Sequence, residues 1–229
     1  MSKNEKYRHE WKYLIDTAQK EYICRRLPPL LTLDKHAQNG GYMLRSLYFD
    51  DYFHTAYEEK DAGVLERKKY RIRIYRYSDK EIFLERKRKL GDLIQKSSVQ
   101  ITRRLCDQLA AGNPSGLQKS ASPLLQDVYV QMRTRLLRPK VIVDYTRRAF
   151  VYEPGNTRIT LDDEVRTGLS SLDFFNPNLA TIPADITRPI ILEVKYDTYL
   201  PDNIRRAIRL NDRRTTNFSK YAACRLTDF

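Results

Sequence analysis

Polar and apolar residues alternate along much of this chain with a period of two. That is the spacing of a strand whose successive side chains point to opposite faces. Between Lys69 and Tyr77, Tyr70, Ile72 and Ile74 share one face while Arg71 and Arg73 share the other. Between Ile190 and Tyr196, Ile190, Leu192 and Val194 oppose Glu193 and Lys195. Ile159, Leu161 and Val165 oppose Arg158, Thr160, Asp162 and Glu164. Near the start of the chain Arg8, Glu10 and Lys12 oppose His9, Trp11, Tyr13 and Ile15. Glu85 and Lys87 share a face, and Tyr145 and Arg147 share another. The pattern predicts strands over 7–15, 42–50, 69–77, 81–89, 94–101, 140–152, 157–166 and 190–196. Glu153-Pro154-Gly155-Asn156 reads as a hairpin turn between two of them.

Helical spacing is rarer. Asp16 is placed to cap a helix that Pro28-Pro29 ends. Ser122-Pro123 opens another, with Leu124, Leu125, Val128, Met132 and Leu136 as its core-facing stripe. Short helices are expected over 103–111 and after Pro201. Segments 111–122 and 168–188 read as loops, the first joining two halves of one fold, so one domain over 1–229 is expected.

An antiparallel sheet with one wet face would alternate in the same way. The charged faces here, however, favour Arg and isolated Glu–Lys pairs over Ser, Thr and Gln, and the apolar faces are rich enough to need helices packed on them. An α+β fold satisfies both demands if it is a closed antiparallel barrel of about eight strands with helices outside and charges inside.

Charge sharpens this picture. The 229 residues carry 42 Lys+Arg against 29 Asp+Glu, a formal excess of +13, with 41% hydrophobic residues including 16 Tyr and 8 Phe. That composition excludes a collagen-like or disordered chain. No apolar run approaches the length needed to span a bilayer, and MSKNEKYRHEW has no apolar stretch behind its charges. No membrane insertion is expected. The cysteines Cys24, Cys106 and Cys224 are far apart and form no CxxC, which predicts a reduced, cytoplasmic setting. The excess of cations calls for an anionic partner: nucleic acid, nucleotide, polyphosphate or an acidic membrane surface. Two cations about 6 Å apart at an effective dielectric of about 20 repel by roughly 3 kcal/mol. Several on one concave wall therefore need anions, and Arg and Lys are the natural ligands of phosphate oxygens. The inference is a tunnel for a phosphate chain. A nucleic-acid groove would be external and interleaved with exposed aromatics, and no helix-turn-helix, zinc or RNP signal is present, so no nucleic acid is expected.

A series of short motifs runs through the chain in order: R-x-E-x-K-Y (Arg8, Glu10, Lys12, Tyr13), LRSLYFDD (Leu44–Asp51), KYRIRIY (Lys69–Tyr75), IFLERK (Ile82–Lys87), YTRRAF (Tyr145–Phe150), RITLD (Arg158–Asp162), ILEVKY (Ile191–Tyr196) and FSKY (Phe218–Tyr221). Together they resemble the VTC domain, the polyphosphate polymerase domain of the vacuolar transporter chaperone family, in its bacterial single-domain form. That family is CYTH-like and falls among the triphosphate tunnel metalloenzymes. The resemblance implies a barrel that binds a triphosphate or longer chain. It further implies transfer of the γ-phosphate of ATP to growing polyphosphate, with Mn²⁺ or Mg²⁺ at a tunnel glutamate. Orthophosphate or pyrophosphate are implied as further ligands, and coupling to translocation would need a membrane-protein partner.

By position, the resemblance makes Lys12, Arg71, Arg73, Lys87, Arg147, Arg158, Lys195 and Lys220 the catalytic cations. It makes Arg8, Arg45, Tyr145 and Ser219 substrate contacts, and Glu193 the metal ligand, joined by Glu10 or Glu85. Triphosphatase and cyclase relatives carry E-x-E-x-K on the first strand. Arg8 stands at the first of those positions here, which favours anion binding over a two-metal hydrolase. A triphosphatase and a non-catalytic polyphosphate or nucleotide sensor are the alternatives. His9, His36 and His54 show no metal-ligand spacing and are expected to be structural or at the surface. Asp50-Asp51 and Asp162-Asp163 are expected at strand-end turns. Arg103-Arg104, Arg205-Arg206 and Arg213-Arg214 are expected on solvated faces, and Trp11 and the tyrosines in packing between barrel and helices.

Overall fold

The alternating segments do pair, and they pair into a ring. In the computed structural model, which describes residues 7–37, 40–209 and 214–227, ten antiparallel strands form one sheet. They are β1 (Arg8–Ile15), β2 (Thr32–Leu33), β3 (Tyr42–Asp50), β4 (Glu66–Tyr75), β5 (Phe83–Leu90), β6 (Leu93–Gln100), β7 (Arg138–Tyr152), β8 (Thr157–Thr167), β9 (Ile182–Pro183) and β10 (Ile190–Tyr196). Eight of them close on themselves in the order β1-β10-β8-β7-β3-β4-β5-β6 and back to β1. The two-residue strands β2 and β9 are appended to β7 and β8. Closure joins Arg8 to Ile94 and His9 to Leu93, so the first strand meets the sixth over two residues and the tenth over seven.

Six helices accompany the ring: α1 (Thr17–Arg26), α2 (Thr55–Asp61), α3 (Arg103–Ala110), α4 (Pro123–Thr134), α5 (Asp202–Ala207) and α6 (Lys220–Leu226). Asp16 caps α1 as expected, its carboxylate accepting from the Gln19 amide at 2.8 Å while the Gln19 side chain bonds back to the Asp16 amide. Each outward apolar face meets a helix. Ile72, Ile74 and Leu84 pack with Cys106, Leu109, Val128 and Met132 of α3 and α4. Ile159, Leu161, Leu192 and Val194 pack with Ile23 of α1 and Ile204 of α5. Burial of such faces, at about 25 cal/mol per Å², holds the ring against the repulsion within it. The turn after β7 needs its glycine: Gly155 has φ +69°, and a Cβ there would stand 2.9 Å from the Tyr199 carbonyl oxygen.

Several expectations shift. The fourth strand starts at Glu66 and stops at Tyr75, because Arg76 and Tyr77 take positive φ (50° and 59°). Helices α2 and α6, each of seven residues, have too few turns to print a period and were not predicted. Glu164 does not join the Arg158 face. It sits at an irregularity in the β7–β8 register with φ 52°, and its side chain is exposed. Asp162 is no strand-end turn residue but a fully buried carboxylate within β8. Asp50 and Asp51 do sit at a strand end, where both accept amides of α2. Arg213 lies outside the described residues. All three cysteines are free. Among the described residues no helix is long and apolar enough to cross a membrane.

Candidate functional site: a charged bore

The inward positions of the eight ring strands enclose a cavity of about 830 Å³. Fourteen lysines and arginines line it against four carboxylates (Glu10, Glu85, Glu193 and Asp197). Most of the chain's positive excess is therefore turned inward. The lining includes Arg8, Glu10, Lys12, Arg71, Arg73, Glu85, Lys87, Tyr145, Arg147, Arg158, Glu193, Lys195, Ser219 and Lys220, which is every candidate site residue except Arg45.

Arg45 is the correction. Tyr42, Leu44 and Tyr48 of β3 line the bore and Ser46 accepts from Arg73, so odd-numbered Arg45 points away from it. Its guanidinium forms a bidentate pair with Asp144 (2.8 and 2.7 Å) and donates to the carbonyls of Phe174 (3.3 Å) and Asn176 (2.6 Å). It fastens the 174–176 loop to the outside of the wall.

Within the bore the charges gather at two centres. The first surrounds Glu85 of β5. Its carboxylate accepts from Arg71 (2.7 Å) and Lys96 (2.5 Å), with Arg73 at 3.7 Å. Arg71 also donates to the Tyr48 hydroxyl (2.7 Å) and Arg73 to that of Tyr145 (2.8 Å). Burial alone would raise the Glu85 carboxyl, but Arg71, Arg73 and Lys96 outweigh it and hold the group well below the usual carboxylate range. Burial pushes the Lys96 ammonium down to about 8, with Glu85 pulling against it.

The second centre is larger. Glu10 of β1 and Glu193 of β10 both face Lys12, at 3.6 and 3.4 Å, and both face Lys195, at 3.8 and 2.5 Å. Lys87 holds Glu10 at 2.6 Å. Arg147 grips Asp162 bidentately (2.6 and 2.7 Å) and reaches Glu193 at 3.5 Å, while Lys220 pairs with Asp162 at 2.6 Å and Glu193 at 3.7 Å. Burial opposes ionisation of Glu193 and Glu10. Lys195 and Lys220 nonetheless hold Glu193 well below the normal range, and Lys87 and Lys195 do the same for Glu10. Burial pushes the Lys195 ammonium down to about 7, against the pull of Glu193 and Glu10. Arg158 lies apart from both centres, paired with Asp34 at 2.9 Å and donating to Tyr42 at 3.2 Å.

The chain ahead of α6 completes the wall. The Thr216 amide donates to the Lys12 carbonyl (2.9 Å), and the Lys12 ammonium donates to the Phe218 carbonyl (3.1 Å). Ser219 caps α6, accepting from the Ala222 amide (3.3 Å) and from the Lys69 ammonium (3.0 Å).

The donor chemistry admits a divalent cation at one centre only. Mg²⁺ and Mn²⁺ take hard oxygen ligands, commonly one or two carboxylates completed by water and substrate phosphate. Glu10 and Glu193 offer two carboxylates that share the same lysine partners, Lys12 and Lys195. Glu85 does not join them: it pairs across the β4–β5 register with Arg71, and two arginines and a lysine occupy its oxygens. Among the described residues no group of three or more His, Cys, Asp or Glu is arranged to hold a metal ion.

Sequence reasoning missed five lining cations: Lys60, Arg67, Lys69, Lys89 and Lys96. Three of them follow the alternation already noted, since Arg67 and Lys69 share the face of Arg71, and Lys89 that of Glu85. Apart from Tyr145, it also assigned the tyrosines to packing outside. Tyr42, Tyr48, Tyr75 and Tyr221 instead line the bore beside Tyr145, with Arg71 over Tyr48 and both Arg73 and Arg147 over Tyr145.

A family model described as VTC domain matches residues 7–227. No curated protein matches the chain. Among solved structures, a candidate adenylate cyclase of Bacillus halodurans is 12% identical, covering 83% of this chain and 80% of its own with a TM-score of 0.48. One of Vibrio parahaemolyticus is 11% identical over 89% and 83%, TM-score 0.44. The Mimivirus capping enzyme triphosphatase is 15% identical over 90% and 87%, TM-score 0.39.

Proposed function

The chain belongs to the VTC domain family, and from that premise we propose that it is a polyphosphate polymerase, transferring the γ-phosphate of ATP to a growing polyphosphate chain inside the bore. The observation that carries this reading is the enclosed wall of fourteen cations and four carboxylates. Such a wall is satisfied by a ligand with one negative charge every few ångströms.

Phosphoryl transfer asks the protein for positioning and charge neutralisation more than for covalent help. In this reading Arg71, Arg73 and Lys87 hold phosphate oxygens from the β4–β5 side. Lys12, Arg147, Lys195 and Lys220 hold them from the β1–β10–β8 side. Arg8 and Arg158 extend the grip along the chain, and Tyr145 and Ser219 offer hydroxyls. Glu193, with Glu10, would hold Mn²⁺ or Mg²⁺. Such an ion supplies neutralisation of charge on the phosphate oxygens. An acceptor phosphate is already anionic near neutral pH, so no general base is needed, and among the described residues no His or Cys lines the bore.

The test is direct. Purified protein is incubated with ATP and Mn²⁺ or Mg²⁺, and the products are resolved on a gel stained for polyphosphate. Polymer with ADP is the expected result. Orthophosphate without polymer would replace the polymerase by a triphosphatase. Unchanged ATP with tight tripolyphosphate binding would make the protein a sensor.

A further inference from the structure

Asp50 closes β3, outside the set of residues that line the bore. It is 1% exposed. One carboxylate oxygen accepts the amides of Asp51 and Ala56, each at 2.9 Å. The other accepts the Tyr57 amide (3.2 Å) and the hydroxyl of Tyr221 (2.5 Å). This carboxylate therefore fixes the start of α2 and the first turn of α6 at once.

Tyr221 leads from there into the bore. Its ring stacks on Tyr48 with centroids 5.2 Å apart at 28°, and the Lys69 ammonium stands 5.1 Å from the Tyr221 ring centroid. Tyr48 in turn accepts from Arg71 at 2.7 Å. Ser219 and Lys220, immediately before Tyr221, reach Lys69 and Asp162. Arg71, Lys69, Ser219 and Lys220 thus all depend on where Tyr221 is held.

We propose that Asp50 is a positioning residue for phosphate binding, setting Lys69 and Arg71 through Tyr221 and Tyr48 and setting Ser219 and Lys220 through the docking of α6. The proposal rests on the reading of the bore as a phosphate-chain site.

Its neighbour supplies the control. Asp51 is equally built into the loop, accepting the amides of Phe53 (3.1 Å) and Thr55 (2.9 Å), the Thr55 hydroxyl (2.7 Å) and Arg135 (3.0 Å). None of these partners lines the bore. A role limited to stabilising the loop would make the two aspartates equivalent.

The experiment measures inorganic tripolyphosphate affinity by calorimetry, and melting temperature, for the full chain and for Asp50→Asn, Asp51→Asn, Tyr221→Phe and Asp50→Asn/Tyr221→Phe. Asp50→Asn and Tyr221→Phe should each weaken binding about fivefold or more, the scale of one ordinary hydrogen bond. The double variant should be no weaker than the worse single one, since both break the same link. Asp51→Asn should lower the melting temperature and leave affinity unchanged. Wild-type affinity in Tyr221→Phe, which loses one hydroxyl and keeps the ring, overturns the proposal even if Asp50→Asn fails to fold. Equal loss of affinity in Asp51→Asn overturns it as well. Absence of tripolyphosphate binding in the unaltered chain would instead defeat the reading of the bore, and this inference with it.

Discussion

The two charge centres of the bore are built from the same residue types and differ in how tightly they are locked. At Glu85, one carboxylate faces two arginines and a lysine, and both guanidinium groups are further held by tyrosine hydroxyls. At Glu193, the carboxylates of Glu10, Glu193 and Asp162 face four lysines and one arginine. A guanidinium is planar and forked, whereas an ammonium is a point charge on a flexible stem. The Glu85 centre is therefore a fixed grip. In the reading proposed above, the Glu193 centre would exchange partners, admitting a cation or a phosphate where a lysine now stands. Binding strength should reside at the first and chemistry at the second.

The sharpest way to break this division is Glu193→Gln. Turnover with Mn²⁺ should fall by about a hundredfold or more, as expected when a charged metal ligand is lost, while tripolyphosphate affinity changes little. A polyphosphate gel and calorimetry on the same sample decide it, and retained turnover would remove Glu193 from the metal site. Next in size, Arg71→Ala/Arg73→Ala should weaken tripolyphosphate binding by about a hundredfold, since it removes two charge-assisted hydrogen bonds of roughly 1.5–3 kcal/mol each. The same variant leaves Glu85 with Lys96 alone, so its melting temperature should drop as well.

The alternation made the first centre legible. Arg71, Arg73, Glu85 and Lys87 follow from parity within two strands, and the same parity places Glu10, Lys12, Glu193 and Lys195. Motif membership without parity was a poorer guide. Arg45 lies in LRSLYFDD, yet it is odd-numbered on a strand whose even positions face inward, and its own strand carried the signal to reject it. Glu164 was lost because a left-handed backbone at a non-glycine residue leaves no trace in residue type. The role of α6 stayed hidden because seven residues give two turns of pattern, and because Tyr221 serves through a hydroxyl bonded 171 positions away. Local composition does not encode such a pairing.

pH separates the centres more gently. Burial pushes Lys195 down to about 7 and Lys96 down to about 8. Each ammonium is charged below its value and neutral above it, so the bore loses positive charge as pH rises. Tripolyphosphate affinity should therefore fall between about pH 6 and 9, and Lys195→Arg, which stays charged throughout, should flatten the first part of that fall. A profile unchanged by Lys195→Arg would assign the titration elsewhere. The smallest effect is expected from Glu85→Gln. Removing the competing carboxylate should tighten tripolyphosphate binding by about two- to fivefold, by analogy with other partly screened charge pairs, while lowering the melting temperature of the unliganded chain. Weaker binding would mean that Glu85 orients the arginines more than it opposes the ligand.

The first strand, β1, pairs along its length with the tenth, β10, and the wall is finished by residues 216–221 resting on Lys12. A ribosome emits these parts about two hundred residues apart. At about 5–20 residues per second, the opening strand waits many seconds for its neighbour while cationic hairpins such as β4–β5 are already outside the exit channel. No partial chain can hold a phosphate ligand in a complete enclosure. Until then the counter-charges of that hairpin are its own, Glu85 beside Arg71 and Glu66 beside Arg88.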